Sequence, residues 1–379
     1  MSSPIVYLDH AATTPLRPEA AAAMAPWLSE RFGNPSGSHA VSRRARQAVD
    51  EARDAVAAAL GALPGEVVFT GSGTEADNLA VSGLHRVRGG TVVCTAVEHH
   101  AVLHAGQALP AGTLRVAPVD HDGNVDLDAL AAILDPGVSI VSVMLANNEV
   151  GTVLDLPGVA KLVRDLAPNA ALHTDAVQAF PWLDVAALAQ PADLIAVSAH
   201  KFGGPQGVGA LVVREGITVA PIIHGGGQER ERRSGTHNVA GIVGMAAAVE
   251  ATVASRGATA ERVRRQRDRL ADGLLSSIPD ATETGDRGGK VPGNCHLRFA
   301  GLESEALLVL LDQEGVCASA GSACTSGAIE PSHVLTAMGV PVGEALGSLR
   351  LSLGASTTDG DVDRALAVVP AAVARLRAS

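Results

Sequence analysis

The sequence predicts an α/β protein, with a mostly parallel seven-stranded sheet in a large domain and a smaller α+β domain beside it. Three observations lead there. Seven short runs rich in Val, Ile and Leu recur between Val67 and Val213, separated by helix-length spacers, as in a sheet with crossover helices on its faces. The runs are nearly continuous in apolar residues rather than alternating, so both of their faces need cover. Polar residues gather just past the ends of the runs, where ligands bind in such sheets.

With 379 residues the chain can bury a large core and divide into two domains. Hydrophobic residues make up 47%, yet no uninterrupted apolar run reaches bilayer-spanning length, so no membrane partner is expected. Met1-Ser2-Ser3-Pro4 leads straight into an apolar strand without a basic stretch, which gives a cytoplasmic expectation. A formal net charge of -11 argues against nucleic acid as a partner. The four cysteines, Cys94, Cys295, Cys317 and Cys324, lack metal-type Cys-x-x-Cys spacing and fit a reducing compartment without a disulfide framework.

In chain order, Ile5 to Leu8 reads as a strand, left by the small-residue loop Asp9-His10-Ala11-Ala12-Thr13-Thr14-Pro15. Arg17 to Trp27 and Val41 to Leu60 read as helices around a Gly-rich polar loop at Phe32 to His39. The seven runs follow: Val67–Thr70, Thr91–Thr95, Leu114–Ala117, Ile140–Leu145, Ala171–Thr174, Leu194–Val197 and Gly209–Val213. From about Gly241 an Ala-rich helix runs, past an interruption at Gly257, to about Ile278. The domain boundary is placed along it: residues 16–255 form the large domain, and residues 1–15 with 256–379 the small one. The small domain then holds strands at Cys295–Phe299, Val316–Ala318 and Leu349–Leu353, a helix at Glu305–Glu314 and a terminal helix at Asp361–Arg377.

The chemistry sits at the run ends. Leu194 to Val197 ends in Ser198-Ala199-His200-Lys201, and Gly203-Gly204-Pro205 forces a turn that leaves Lys201 at the mouth of the strand. An amine beside apolar walls loses hydration and deprotonates more easily, as a Schiff-base lysine requires; a surface lysine at a strand end is the plainer reading. Asp175 and Gln178 follow the fifth run, placed as an acid and an amide would be to meet the ring nitrogen and ring oxygen of pyridoxal phosphate. Gly71-Ser72-Gly73-Thr74 before an apolar helix suits a phosphate, and equally a plain turn. Glu98-His99-His100 offers an imidazole that could stack on a flat ring or merely bond within its loop. Asn147-Asn148 is either a pocket edge or a turn. The loop His224 to Thr236 suits an anion or simple solvation. Ser319 to Gly327 places Cys324 among Ser, Gly, Ala and Thr, the setting of an exposed thiol rather than a core residue; the other three cysteines lie on strand patterns. Five runs ending in groups that suit one phosphorylated pyridine make one site the simplest reading.

These motifs, in this order, resemble the pyridoxal-phosphate cysteine desulfurases of the IscS/NifS type within the class-V aminotransferases. The stretches that carry the resemblance run nearly end to end: Tyr7 to Pro15, Gly33-Asn34-Pro35-Ser36, Gly73 to Asn78, Glu98-His99, Asn147 to Gly151, Asp175 with Gln178, Ser198 to Lys201, Arg233 to Thr236, Gly321 to Ser326 and Leu349 to Gly354. The resemblance implies the type I fold of pyridoxal-phosphate-dependent transferases. It implies Lys201 as the Schiff-base lysine, His99 as ring-stacking acid/base and Asp175 as partner of the pyridine nitrogen. Gln178 then meets the ring oxygen, Gly73, Thr74, Ser198 and His200 the phosphate, and Thr236 the phosphate of a neighbouring subunit, hence a homodimer. Asn148 also borders the cofactor. Asn34, Asn148 and Arg350 bind substrate, the last two at its carboxylate. Cys324 accepts sulfur and is the one candidate metal ligand, as a transient iron–sulfur ligand. The sequence departs from the pattern with Gly71 and Gly73 where Ser and Ala are common. It also stops at Ser379, where some relatives carry a longer tail that docks a scaffold.

The implied reaction converts L-cysteine to L-alanine: Lys201 removes the Cα proton, Asp175 keeps the ring nitrogen protonated, and the Cys324 thiolate takes the sulfur as a persulfide while His99 exchanges a proton. An iron–sulfur scaffold is one form of acceptor. A class-V aminotransferase or a carbon–sulfur (selenocysteine) lyase would share every cofactor residue and need no cysteine nucleophile. A non-catalytic dimeric scaffold would need none of them.

Overall fold

Residues 5–320 and 331–378 are described in the structure, a computed structural model. Their strands are β1 (Val6–Tyr7), β2 (Val67–Thr70), β3 (Thr91–Thr95), β4 (Leu114–Ala117), β5 (Val138–Ser142), β6 (Ala171–Asp175), β7 (Leu194–Ser198), β8 (Gly209–Val213), β9 (Ala281–Glu283), β10 (Asn294–Phe299), β11 (Val316–Cys317) and β12 (Ser348–Ser352). β2 to β8 form one sheet in the order β2-β8-β7-β6-β5-β3-β4, and these are the seven runs read from the sequence. The fifth element of the sheet differs most: β5 starts at Val138 and ends at Ser142, while Val143 and Leu145 continue by donating to the carbonyls of His173 and Asp175.

The pairs β3–β4, β3–β5, β5–β6 and β6–β7 are parallel, whereas β8 is antiparallel to both β7 and β2. The link from β7 to β8 is too short for a crossover helix, which forces that reversal. β8 is thus the one strand running backwards, and the C-terminal ends of β2, β3, β5, β6 and β7 open on a common edge. Neighbouring residues face opposite layers: Val93, Val141 and Ile195 join one apolar cluster, and Val92, Ile140 and Leu194 another. Both faces are therefore covered. Each fully buried Val, Leu or Ile contributes about 1.5–3 kcal/mol relative to exposure.

A second apolar core gathers β10, β12 and the helices Ser304–Gln313 and Asp359–Arg377, with Leu297, Phe299, Leu349 and Leu351 fully buried. There β10 lies between β12 and β9, antiparallel to both, and β1 pairs with β11 in parallel. The helix Val239–Ser277 serves both cores: Ile242, Met245 and Val249 belong to the first, Val263, Leu270 and Leu274 to the second. It is the one described helix long and apolar enough by composition to cross a membrane, and its apolar side is covered by these cores. It runs straight through Gly257, whose Cα faces open space, so nothing there forces a break. At Gly244 a Cβ would lie 2.5 Å from Met24 Cγ, so glycine there lets the helix Pro18–Leu28 approach closely.

Candidate active site

The sheet edge opens into a cavity of about 370 Å3, lined by Thr74, His99, Asp175, Gln178, Ser198 and Lys201 together with Gly73, Asn148, His200 and Arg350. Lys201 closes a single 3-10 turn, Ala199–Lys201, directly after β7. Gly203 then adopts φ +86°, a backbone that favours glycine. Thr14 clamps this turn: its N–H and Oγ1 both donate to the His200 carbonyl, and its Oγ1 accepts from the Gly203 N–H. Lys201 Nζ donates to the carbonyls of Ala11 at 2.5 Å and Ala12 at 2.7 Å, and Gln178 Nε2 donates to the Ala11 carbonyl at 2.8 Å. The small-residue loop after β1 thus seats both side chains.

An anion cradle lies at the end of β2. Ser72 caps the following helix by accepting from the Glu75 N–H, and the helical path continues from Gly73 through a π-type stretch, Leu79–Gly83, to Arg88. The start of this helix, Ser72 to Thr74, lines the cavity beside the buried Ser198, and the N–H groups of Gly73 and Thr74 have no intrahelical carbonyl to reach. A Cβ on Gly73 would sit 2.9 Å from Val177 Cγ2 and 3.1 Å from Ser198 Cβ, so the helix start and the end of β7 meet closely because residue 73 is glycine. At Gly71 a Cβ would press on Glu75 Oε2, which holds Arg233. His200 Nδ1 lies 3.1 Å from Thr13 Oγ1, and burial, then the Lys201 charge, pushes its pKa down to about 4.

Opposite the cradle, Asp175 ends β6 and is 5% exposed, its Oδ1 accepting from the Val177 N–H at 2.8 Å. Burial raises its pKa to about 6 against the lowering by that hydrogen bond and by Lys201. His99 caps the helix His100–Gln107 by accepting from the Ala101 N–H at Nδ1, so its remaining proton sits on Nε2. Burial, then Lys201 and the neighbouring His100, His333 and His104, holds its pKa at about 4, and the ring is neutral near pH 7.

Arg350 enters from β12. Its Nη1 donates to the Asn148 carbonyl at 2.9 Å and its Nη2 pairs with Asp9 at 2.9 Å. The two asparagines before Glu149 divide their work. Asn147 is 1% exposed and builds the turn, accepting from the N–H groups of Glu149 and Val150, while Asn148 lines the cavity.

Two candidates fall elsewhere. Asn34 is exposed and its Oδ1 accepts from the Ser36 N–H, so it turns its own loop and does not line the cavity. Thr236 is exposed and does not line the cavity of its own chain. Cys324 lies outside the described residues. Cys94 and Cys295 are buried as expected, whereas Cys317, on the two-residue edge strand β11, is partly exposed. Among the lining residues, sequence reasoning gave Asp77, Glu149 and His333 no role, and of the pair His99-His100 it singled out only His99. For Asp77 a signal existed. It falls on the apolar stripe Gly73, Ala76, Ala80, Leu84 of its helix, where a carboxylate has no structural reason to be.

The donor set fits a phosphorylated pyridine aldehyde: an amine, a buried carboxylate, an amide and an anion cradle face one cavity, with glycine where a side chain would fill the cradle. A family model described as aminotransferase class-V matches residues 6–365. The chain is 46% identical to the "IscS-like cysteine desulfurase" of Mycobacterium tuberculosis, over 98% of this chain and 97% of the other. Among solved structures, a "NifS-like protein" superposes with a TM-score of 0.92 at 33% identity, covering 98% of this chain and all of the other (100%). "SspA in complex with cysteine" follows with a TM-score of 0.80 at 30% identity, covering 93% and 99%.

Proposed function

The chain belongs to the class-V aminotransferase family and is a pyridoxal 5'-phosphate-dependent cysteine desulfurase, and from that premise we propose which of its residues carry the reaction. The observation that supports the assignment is that Lys201 Nζ, the Asp175 carboxylate and the Gly73–Thr74 helix start line one cavity. The bound cofactor supplies an aldehyde that takes up an amine and a ring that accepts the electron pair left at Cα.

Lys201 would hold the aldehyde of bound cofactor and would take the Cα proton at Nζ. Asp175 keeps a proton at the ring nitrogen by its opposite charge. Gln178 meets the ring oxygen, and Thr74, Ser198 and His200 hold the phosphate with the helix N-terminus. Arg350 and Asn148 orient the carboxylate of L-cysteine; Asp9 shares Arg350 until substrate arrives. His99, neutral with its proton on the Nε2 that its cap leaves free, offers that N–H as a hydrogen bond near the substrate sulfur and exchanges a proton there. Cys324 accepts that sulfur as a persulfide, and L-alanine leaves.

The same reading extends to the assembly. Thr236 reaches the phosphate of a second copy in a homodimer, and a cytoplasmic acceptor such as an iron–sulfur scaffold takes the sulfur onward. The domain division falls within the helix Val239–Ser277, near residue 255, where its buried side changes from one core to the other.

The test rests on Cys324→Ser. The variant should take up cofactor and change its absorbance on adding cysteine, because the work of Lys201 precedes sulfur transfer. Persulfide and sulfide release should vanish. Single-turnover alanine formation and the mass of the Cys324 peptide decide it. Unchanged alanine output, or no added sulfur on the wild-type peptide, favours an aminotransferase or a simple carbon–sulfur lyase.

A further inference from the structure

Beside Asp175 lies a second carboxyl with no part in the reaction as described. Asp77 is 1% exposed and lines the cavity, and ligand atoms of Asp77, His99 and Asp175 all lie within 4.8 Å of one another. Two buried carboxylates at such separation do not both ionise. Behind Asp77 runs a buried chain. Its Oδ1 faces His173 Nε2 at 3.5 Å, and these two atoms are buried with no hydrogen-bond partner among the described residues, so each is the one group the other can turn to. His173 Nδ1 lies 2.8 Å from Ser142 Oγ, which lies 3.4 Å from Glu98 Oε2.

This chain has two consistent directions and one proton to place. With the proton on Asp77, it points at His173 Nε2, His173 Nδ1–H points at Ser142, and Ser142 donates to Glu98. With the proton on Glu98, every bond reverses and Asp77 is the anion. The surroundings favour the first direction. Burial, with Asp175, pushes Glu98 up to about 8, but its Oε1 accepts from Thr95 Oγ1 and the Met144 N–H, both at 2.8 Å, and these bonds hold the rise back, so of the two carboxyls Glu98 gives up its proton first. Asp77 Oδ1 has no such donor and sits beside Asp175. Burial, followed by Asp175 and Glu98, raises Asp77 well above the carboxylate range, while burial alone holds His173 at about 3 and therefore neutral.

We propose that Asp77 is a neutral, hydrogen-bond-donating carboxyl beside the cofactor ring, positioned by His173, which leaves the negative charge at the ring nitrogen on Asp175 alone. This rests on the role given above to Asp175. The groups facing Asp77 are Asp175 and His173 from β6, His99 from the end of β3 and Glu98 before it. Lys201 acts from the far side through Asp175 and His99.

The test is a pH titration of the cofactor's absorbance in resting holoenzyme, alongside cysteine turnover. Asp77→Asn keeps shape, neutrality and a donor toward His173. It should bind cofactor, keep the titration midpoint within about 0.3 of wild type and retain turnover within about threefold. Asp77→Ala, without the donor, should lose about tenfold in turnover. A midpoint lowered by about one pH unit or more in Asp77→Asn would mean that a negative charge had been removed, and overturns the proposal. So does failure of that variant to take up cofactor, or an alanine variant as active as the asparagine one. Asp175→Asn separates the two levels. If it loses most turnover while Asp77→Asn shifts the midpoint, only the proposal for Asp77 falls; if it keeps near-normal turnover, the assignment of Asp175 falls too.

Discussion

At the scale of single residues, Lys201 carries the most weight, because its amine is held by two backbone carbonyls at the rim of a cavity. Lys201→Ala removes the amine but disturbs little packing, since Thr14 fixes the turn through backbone groups of His200 and Gly203. The variant should fold and lose cysteine turnover by several orders of magnitude. Borohydride should no longer fix the cofactor to the chain. A lysine adduct persisting in that variant would assign the aldehyde to another residue. Lys201, Asp175 and Gln178 were legible because strand ends in a parallel sheet announce themselves: an apolar run stops and polar residues begin. The chain behind Asp77 was not. His173 and Ser142 lie inside apolar runs, and which hydroxyl meets which imidazole depends on the registry of β5 against β6, where Ser142 pairs with His173.

At the scale of elements, the seven strands of the large sheet could be read because each is nearly continuous in apolar residues. β9 could not: Ala281–Glu283 is only partly buried, carries two polar residues in three, and exists as a strand because β10 lies beside it. The loop from His224 to Thr236 shows the reverse case, a charged segment that reads as solvated and yet contains a buried anchor. Glu229, Arg230 and Glu231 all have positive φ, which costs non-glycine residues about 1–3 kcal/mol each. Glu229 holds the turn down. Its carboxylate pairs in a bidentate manner with Arg53 at 2.6 and 2.7 Å, accepts from the Phe69 N–H, and meets His237 at 2.6 Å. Burial pushes its pKa up, but Arg53 and His237 outweigh that and leave it at about 2. Because the folded value lies below the ordinary 4.5 of a glutamate, this stabilisation is present above pH 4.5 and is lost as pH falls toward 2. Glu229→Gln should therefore cost about 3 kcal/mol in denaturant unfolding at pH 7. The gap between variant and wild type should narrow steadily below pH 4.5. A gap independent of pH would show that the side chain acts by shape alone.

At the scale of the whole molecule, the site draws on both cores. Lys201, Asp175 and the cradle stand on the large sheet, whereas Arg350 comes from β12 and Asp9 from the segment after β1. The sequence places a boundary along an Ala-rich helix, and the helix Val239–Ser277 packs on both apolar cores. Contacts across the split were not legible, because they join residues far apart in sequence, as Arg350 to the Asn148 carbonyl does.

Thr236 raises the remaining question at this scale, since it is exposed on its own chain and lies outside its own cavity. A hydroxyl that serves the neighbouring subunit should show its effect only across a dimer. Thr236→Ala alone should weaken cofactor binding about tenfold, the usual size of a lost hydrogen bond to a charged group. Chains carrying Lys201→Ala alone should be inactive. When the two variants are mixed and refolded together, each hybrid dimer contains one site with an intact Lys201 that faces an intact Thr236 from its partner. If Thr236 works between subunits, that site binds cofactor with wild-type affinity, so the mixture regains activity at limiting cofactor beyond the average of the two parents. If it works within its own chain, the only site with Lys201 still lacks Thr236. Cofactor titration of the mixture then matches Thr236→Ala and activity shows no gain. The outcome assigns the loop that Glu229 anchors either to its own cavity or to the partner's.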